Sequence, residues 1–198
     1  MLSQTDTRQR IIDSARELIL SRSYADVGVA AICDHAGVKK GSFYHFFPSK
    51  SELTQDVLDT FFADFKDGLV EQAFNNDLPP LQKLVRFSEL AYEFQRSIKE
   101  QTGQVYGCPL GNLALELSTQ DEKIRHKINV IFTKLQSGLK DVLKQAGVNG
   151  EVGDIDIEAT AQAMLAYFEG VILMAKTRND PEVIRQLLPA IEYIRILP

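Results

Sequence analysis

From Glu122 to Ala146 the apolar residues Ile124, Ile128, Ile131, Leu135, Leu139, Val142 and Leu143 recur every three or four positions. That spacing lines one face of an α-helix; a strand would need a period of two. The rest of the chain repeats it. Ile11, Ile12, Ala15, Leu18 and Ile19 share a face over residues 7–22, and Leu53, Val57, Leu58, Phe61, Phe65 and Leu69 share another. No alternating strand and no internal repeat stands out. The expected fold class is all-α, with about nine helices.

The punctuation sets the boundaries. A short helix over Val29–Ala36 stops at Gly37, which suits the left-handed position after a helix end. A second short helix, from about Lys39 to Phe46, cannot run past Pro48. The run "SKSE" reads as a capping box in which Ser49 caps a long helix and Glu52 reaches back. "NNDLPP" at 75–80 ends that helix, and another is expected over 81–99, followed by the loop "QTGQVYG". Pro109 opens a short helix to Leu117. After the helix over 122–146 comes the loop "GVNGEVGDID", with acids placed to cap the next helix. Two helices close the chain at about 157–176 and 181–196.

The stretch "GVKKGSFYHFFPSK", 37–50, gathers three lysines and five ring side chains in a chain of net charge −5. Residues 1–50 carry +2 and the remainder −7, which suits a polyanion met by one end only. The second and third short helices, joined by a glycine turn, form a helix-turn-helix arrangement. The later helix of such a motif enters the major groove and meets bases and phosphates with its early residues. Lys39, Lys40, Ser42, Tyr44 and His45 are its hydrogen-bonding side chains, and Gly41 leaves room for a backbone to approach. Lys50, at the start of the next helix, adds an ammonium to the free N–H groups and dipole there, a combination that suits a phosphate. Phe43 and Phe46, three apart, are expected to pack inward. The bland alternative is a solvated basic face with a structural histidine.

The segment from Arg8 to Leu53 resembles the amino-terminal domain of the TetR family of bacterial transcriptional regulators. Ala36, Gly37, Val38, Gly41, Tyr44, His45, Phe46 and Lys50 meet the family's central run, and the whole match covers about 45 residues. The resemblance implies a helix-turn-helix DNA-binding domain over 1–50 and a ligand-binding and dimerisation domain over 51–198. It also implies a cytoplasmic homodimer, nucleoid-associated when DNA-bound, on double-stranded, partly palindromic operator DNA, most often as a repressor. Val27 and Gly28 stand where the family often has hydroxyl residues, which removes a cap worth ~1 kcal/mol.

The last two helices carry broad apolar stripes. Met164, Phe168, Val171, Ile172, Leu187, Leu188, Ile191 and Ile194 serve either burial within one subunit or a dimer interface. The resemblance, which implies a four-helix interface there, favours the second. A dimer also has a physical role, because two half-sites ~34–36 Å apart supply the specificity one reading helix lacks.

"YGCPLGNLALEL", 106–117, resembles a stretch in a subgroup of the family whose central helix begins beside the ligand pocket, with some relatives sensing electrophiles or oxidants. Cys108 sits at the cap of that helix, where the dipole lowers a thiol pKa; its plainer reading is a small packing residue. Candidate effector residues are Cys108, Tyr106, Asn112, Phe65, Tyr92, Phe168 and Lys176, the last either stabilising a thiolate or closing its own helix. The implied effector is a small molecule or an electrophile, and no cofactor or metal is called for.

Other classes fit less well. No apolar run approaches the ~20 residues of a membrane span, and "MLSQTDTRQR" lacks a signal peptide's apolar core. Two cysteines make no disulfide framework. An enzyme using Cys108 would need a histidine base; His35 and His45 belong to the amino-terminal domain, and His126 lies on a polar face. An adaptor without DNA binding would not need Tyr44, His45 and Lys50.

Overall fold

A computed structural model describes residues 4–198, so the first three residues of the expected amino-terminal domain lie outside the described residues. The helices are α1 (Gln4–Ser21), α2 (Val29–Ala36), α3 (Lys40–Phe46), α4 (Lys50–Phe65), α5 (Glu71–Phe74), α6 (Pro80–Thr102), α7 (Pro109–Leu117), α8 (Glu122–Val148), α9 (Ile157–Arg178) and α10 (Glu182–Leu187). A π-helical turn, Lys66–Val70, joins α4 to α5, and a 3₁₀ turn, Leu188–Tyr193, extends α10. Counting each joined pair as one run gives nine helical runs and no strand among the described residues, as the periodicity predicts.

Local chemistry explains the boundaries. Gly37 takes φ 61°, ψ 42°, and its N–H closes α2 onto the Asp34 carbonyl. The Ser49 hydroxyl accepts the Glu52 N–H at 3.1 Å, which is half of the capping box. The other half is absent, because the Glu52 carboxylate accepts from Lys123 at 2.6 Å instead. Asp156 caps α9 through the Ala159 N–H at 2.9 Å. Gly28 precedes α2 with no side-chain cap, as its lack of a hydroxyl requires.

Two elements differ from expectation. The long helix after Pro48 loosens into the π turn around Gly68, a weak helix former. The last helix is α-helical only to Leu187; Pro189 has no N–H to give, and the chain tightens to 3₁₀.

The chain packs as two compact units, one formed by residues up to Ala63 with Asn112–Asn129, the other by Asp64–Gly111 with Val130–Pro198. These units do not coincide with a boundary at residue 50, because Leu53, Val57, Leu58 and Phe61 of α4 are buried in the first. That core also takes Ile11, Ala15, Ile32 and Phe43, each fully buried. At ~1.5–3 kcal/mol for each large apolar side chain removed from water, this set is the main term holding the first unit. The second unit's core runs through α6, α8, α9 and α10, around Leu84, Leu143, Met164, Ile184 and Leu188.

By length and composition α9 is apolar enough to cross a membrane, contrary to the reading of the bare sequence. Met164, Phe168, Val171, Ile172 and Ala175 are buried in the second unit's core, which accounts for that composition.

Candidate nucleic-acid interface and effector region

Helix α3 shows a buried side and an exposed side. Phe43 is fully buried and stacks at 5.2 Å, edge-on, against Tyr44, whose own side chain is 56% exposed. Lys39, Lys40, Gly41 and His45 are exposed, and Ser42 is half-buried. A side chain added at Gly41 would meet nothing within 4 Å, so that surface is open. The second inward ring is Phe47, not Phe46. Phe47 lies just past the helix in extended backbone (φ −132°, ψ 111°), which turns it back onto Phe43 at 6.0 Å, while Phe46 stays half-exposed against His45.

Lys50 faces inward, toward the loop before α2. Its ammonium donates to the carbonyls of Tyr24 at 2.8 Å and Val27 at 3.0 Å, and sits 3.6 Å from the centre of the Tyr24 ring. Burial lowers its pKa, and the Glu116 carboxylate opposes that shift. Glu116, from α7, takes the same loop from its N–H side: Tyr24 donates to it at 3.0 Å and Ala25 at 2.7 Å. Cation and carboxylate together fix residues 24–27, the segment that leads into α2 and α3. Arg10 donates to the Ala36 carbonyl and holds the other end of α2.

In the second unit, Phe65, Phe87 and Phe168 stack at 5.3–6.2 Å, and Tyr92 and Cys108 pack against the same core. The Tyr92 hydroxyl donates to Glu182 at 2.6 Å. Four of the expected effector residues therefore share one apolar cluster. Tyr106 and Asn112 are half-buried and Lys176 is exposed. An open groove of about 770 Å³ between the start of α6 and the end of α8, lined by Pro79, Lys83, Lys144 and Val148 among others, includes none of the expected effector residues.

The charged group beside Cys108 is Glu169 of α9. The thiol pKa is pushed well up, first by burial and then by the Glu169 carboxylate; the N–H groups of Leu110 and Gly111 work the other way and lose. The dipole argument for a lowered thiol pKa is thus overturned by desolvation and a neighbouring anion. Burial also raises the Glu169 carboxyl, and its Oε1 is buried without a hydrogen-bond partner. The Glu169 carboxylate lies directly over Gly111, where a Cβ would fall 2.4 Å from Oε2 and would make that side chain shift.

Of the residues expected at a dimer interface, Met164, Phe168, Val171, Ile172, Leu188 and Ile191 are buried inside the protomer, and Ile194 is half-buried. The stripe on α9 is wide enough for the core and leaves the opposite face for solvent. That face shows Ala166, Gly170, Leu173 and Met174, with Leu187 exposed on α10.

Sequence reasoning missed Glu116 and Glu169. For Glu169 the available signal was a lone acid inside the apolar run of α9; for Glu116 there was none. No group of three or more metal-ligating side chains occurs among the described residues.

Residues 11–57 match the family described as bacterial regulatory proteins, tetR family, and residues 85–188 match the LmrA/YxaF-like transcriptional regulator C-terminal domain. The chain is 32% identical over 179 residues to the transcriptional regulator AcuR of Cereibacter sphaeroides, covering 88% of this chain and 78% of that one. It is 27% identical over 198 residues to the transcriptional repressor DhaR of Mycobacterium sp. (strain GP1), covering 100% and 96%. The crystal structure of a regulatory protein TetR from Rhodobacter sphaeroides superposes with a TM-score of 0.82 at 28% identity, covering 95% of this chain and 98% of that one. These relatives are regulators, not enzymes, and the chain belongs to the TetR family of DNA-binding transcriptional regulators, with a C-terminal domain of the LmrA/YxaF-like kind.

Proposed function

We propose that the protein is a homodimeric, cytoplasmic repressor that occupies a pseudo-palindromic operator, nucleoid-associated while bound, and leaves it when an effector engages the second unit. The observation that carries this reading is α3. It is anchored by Phe43 and Phe47 and displays Lys39, Lys40, Gly41, Tyr44 and His45 on one open face. Those side chains, with Ser42, contact base edges and phosphates. Lys50 acts one step back: its ammonium is held by two carbonyls, so it positions the helix pair, and any phosphate it meets is shared with those partners. The functional division runs along the chain, with DNA reading in 1–50 and effector binding and dimerisation in 51–198.

The dimer forms through the outer face of α9 and α10. Gly170 costs a helix ~1 kcal/mol relative to alanine, and a side chain there would meet nothing in its own protomer. Close approach of a second copy, with Leu173, Met174 and Leu187 beside it, gives that glycine a reason. The effector site is the cluster of Phe65, Tyr92, Phe168 and Cys108 in the second unit, with Tyr106 and Lys176 as further candidates. The effector is a small apolar molecule or an electrophile that adds to Cys108.

Selection of genomic fragments by the purified protein tests the reading. Enrichment of one pseudo-palindromic site supports it. No enrichment at low salt, from folded dimeric protein, overturns it in favour of an adaptor.

A further inference from the structure

The π turn at Lys66–Val70 has a cause in the sequence. Phe65, Leu69 and Ala73 stand four apart, and all three pack in the second unit's core. Each step of four runs about 40° past a full α-helical turn, so on an unbroken helix Ala73 would face about 80° away from Phe65. One extra residue in a turn takes back about 100°, which returns the three to one side. The Glu71 N–H donates to the Lys66 carbonyl, five residues back, and the Lys66 ammonium lies 3.6 Å from the Glu71 carboxylate. Positions five apart on an α-helix are about 140° apart around the axis, so this ion pair belongs to the π register.

The turn is loosely held on its outer side. Lys66 and Asp67 are exposed, and a Cβ at Gly68 would meet nothing within 4 Å. A glycine that no close approach requires weakens the helix and leaves the extra residue free to move along it. On the inner side stands Phe65, the last α-helical residue before the turn. Its ring is half-buried and edge-on to Phe87 at 5.8 Å and to Phe168 at 6.2 Å. Phe87 and Phe168 are both 7% exposed and contact each other directly at 5.3 Å. Phe65 is therefore the least buried of the three rings and the one tied to the turn.

We propose that the π turn is a gate on this ring cluster, and that opening it admits a flat, uncharged aromatic molecule against Phe87 and Phe168. The inference rests on the reading of the cluster as the effector site. In the open state the extra residue sits one turn nearer the amino terminus, and Phe65 swings about 100° around the helix axis, away from the other two rings. Leu69 and Ala73 lie on the far side of the shift and keep their places. The backbone exchanges hydrogen bonds without losing any, because either register leaves one residue outside the ordinary ladder. The bound molecule covers the apolar surface that Phe65 uncovers, ring against ring. A charge in that slot would be buried among aromatic side chains, which selects for neutral ligands.

Deletion of Gly68 tests the gate, with indole as the aromatic probe and the full chain throughout. A chain one residue shorter closes the turn as ordinary α-helix and has no extra residue to move, so Phe65 stays in the cluster. Calorimetric titration and hydrogen exchange over residues 62–71 are expected to show indole binding to the unaltered protein with a change of exchange at the turn. The deletion variant is expected to show neither. No binding to the unaltered protein, equal binding to the deletion variant, or binding that leaves exchange at the turn unchanged would each overturn the proposal. Phe65→Ala gives an independent reading if the deletion folds poorly. It leaves the slot open whichever register the turn takes, so indole is expected to bind at least about tenfold tighter than to the unaltered protein. Binding no tighter than that of the unaltered protein sinks the idea. Operator release is scored in the same samples. A change at the turn with indole bound but no release supports the gate and removes the cluster as the effector site. Release by indole that is equal in the deletion variant keeps that reading and removes the gate.

Discussion

Glu116 and Ala25 are joined by a 2.7 Å hydrogen bond from backbone N–H to carboxylate, and the neighbouring Tyr24 N–H binds the other oxygen at 3.0 Å. Both N–H groups belong to the turn between α1 and α2, so a residue 91 positions along the chain organises the entry to the DNA-reading helices. Substituting Glu116→Ala leaves two donors without their anion. The expected cost is ~1–3 kcal/mol, with weaker operator binding, read by urea denaturation and by DNA titration. Unchanged stability and affinity would mean that water replaces the carboxylate at no cost.

Lys39 and Lys50 are expected to separate in a salt titration. Lys39 is exposed at the start of α3; if it meets a phosphate, Lys39→Ala lowers the salt slope of operator binding by about 0.9. Lys50 is spent on the Tyr24 and Val27 carbonyls. Lys50→Met is expected to lower thermal stability and operator affinity while leaving the salt slope nearly intact. Equal loss of slope in both variants would return Lys50 to the phosphate.

Much of this arrangement was legible in the sequence. Gly37 and Pro48 bracket α3 for local reasons, a positive φ and a missing N–H, and local reasons survive folding. Phe47 was not legible, because helix periodicity says nothing of a residue one step past the helix end; the extended backbone there decides where its ring goes. Lys50 was legible only in part. An ammonium at a helix start suits an anion, but the carbonyls of Tyr24 and Val27 that accept from it at 2.8 and 3.0 Å come from a loop that helix periodicity does not place. Glu169 reads as an odd acid in an apolar run until α7 is laid beside it. On α9 periodicity marks the stripe, and so which residues share a face, without saying whether that face meets its own chain or another.

Tyr44→Ala tests the exposed side of α3 with little effect on its buried side. Tyr44 is 56% exposed, and its ring packs edge-on against Phe43. Thermal stability is expected to fall by no more than ~1 kcal/mol, while operator affinity drops at least tenfold. Loss of folding in step with binding would show that Tyr44 serves the core.

Glu169 gives stability a pH dependence of definite sign. Its pKa is raised in the folded state by burial, so the folded form holds its proton more tightly than the unfolded chain. The contribution is therefore fully present below the ordinary carboxylate range and is lost as pH rises through the raised value. Glu169→Gln, which carries no charge to desolvate, is expected to be the more stable protein at neutral pH, with the advantage shrinking toward pH 4. Thermal melts of both proteins across that range check it; an advantage that grew on acidification would reverse the assignment.

The outer and inner faces of α9 are expected to respond differently to the same insult. Leu173 and Met174 are 48% and 40% exposed, so Leu173→Glu in the isolated protomer buries no charge. If this face seats a second copy, the new carboxylate meets its symmetry mate or an apolar neighbour across the interface, and both cost several kcal/mol. The protein is then expected to run as a folded monomer in light scattering, with helical content unchanged and operator affinity greatly reduced. Ile172, one residue earlier and 3% exposed, faces the protomer's own core. Ile172→Glu is expected to lose the cooperative melt altogether, because an unpaired buried charge is not tolerated there. A dimer that survives Leu173→Glu would move the interface off this face, and the cost of Gly170 would then need another explanation.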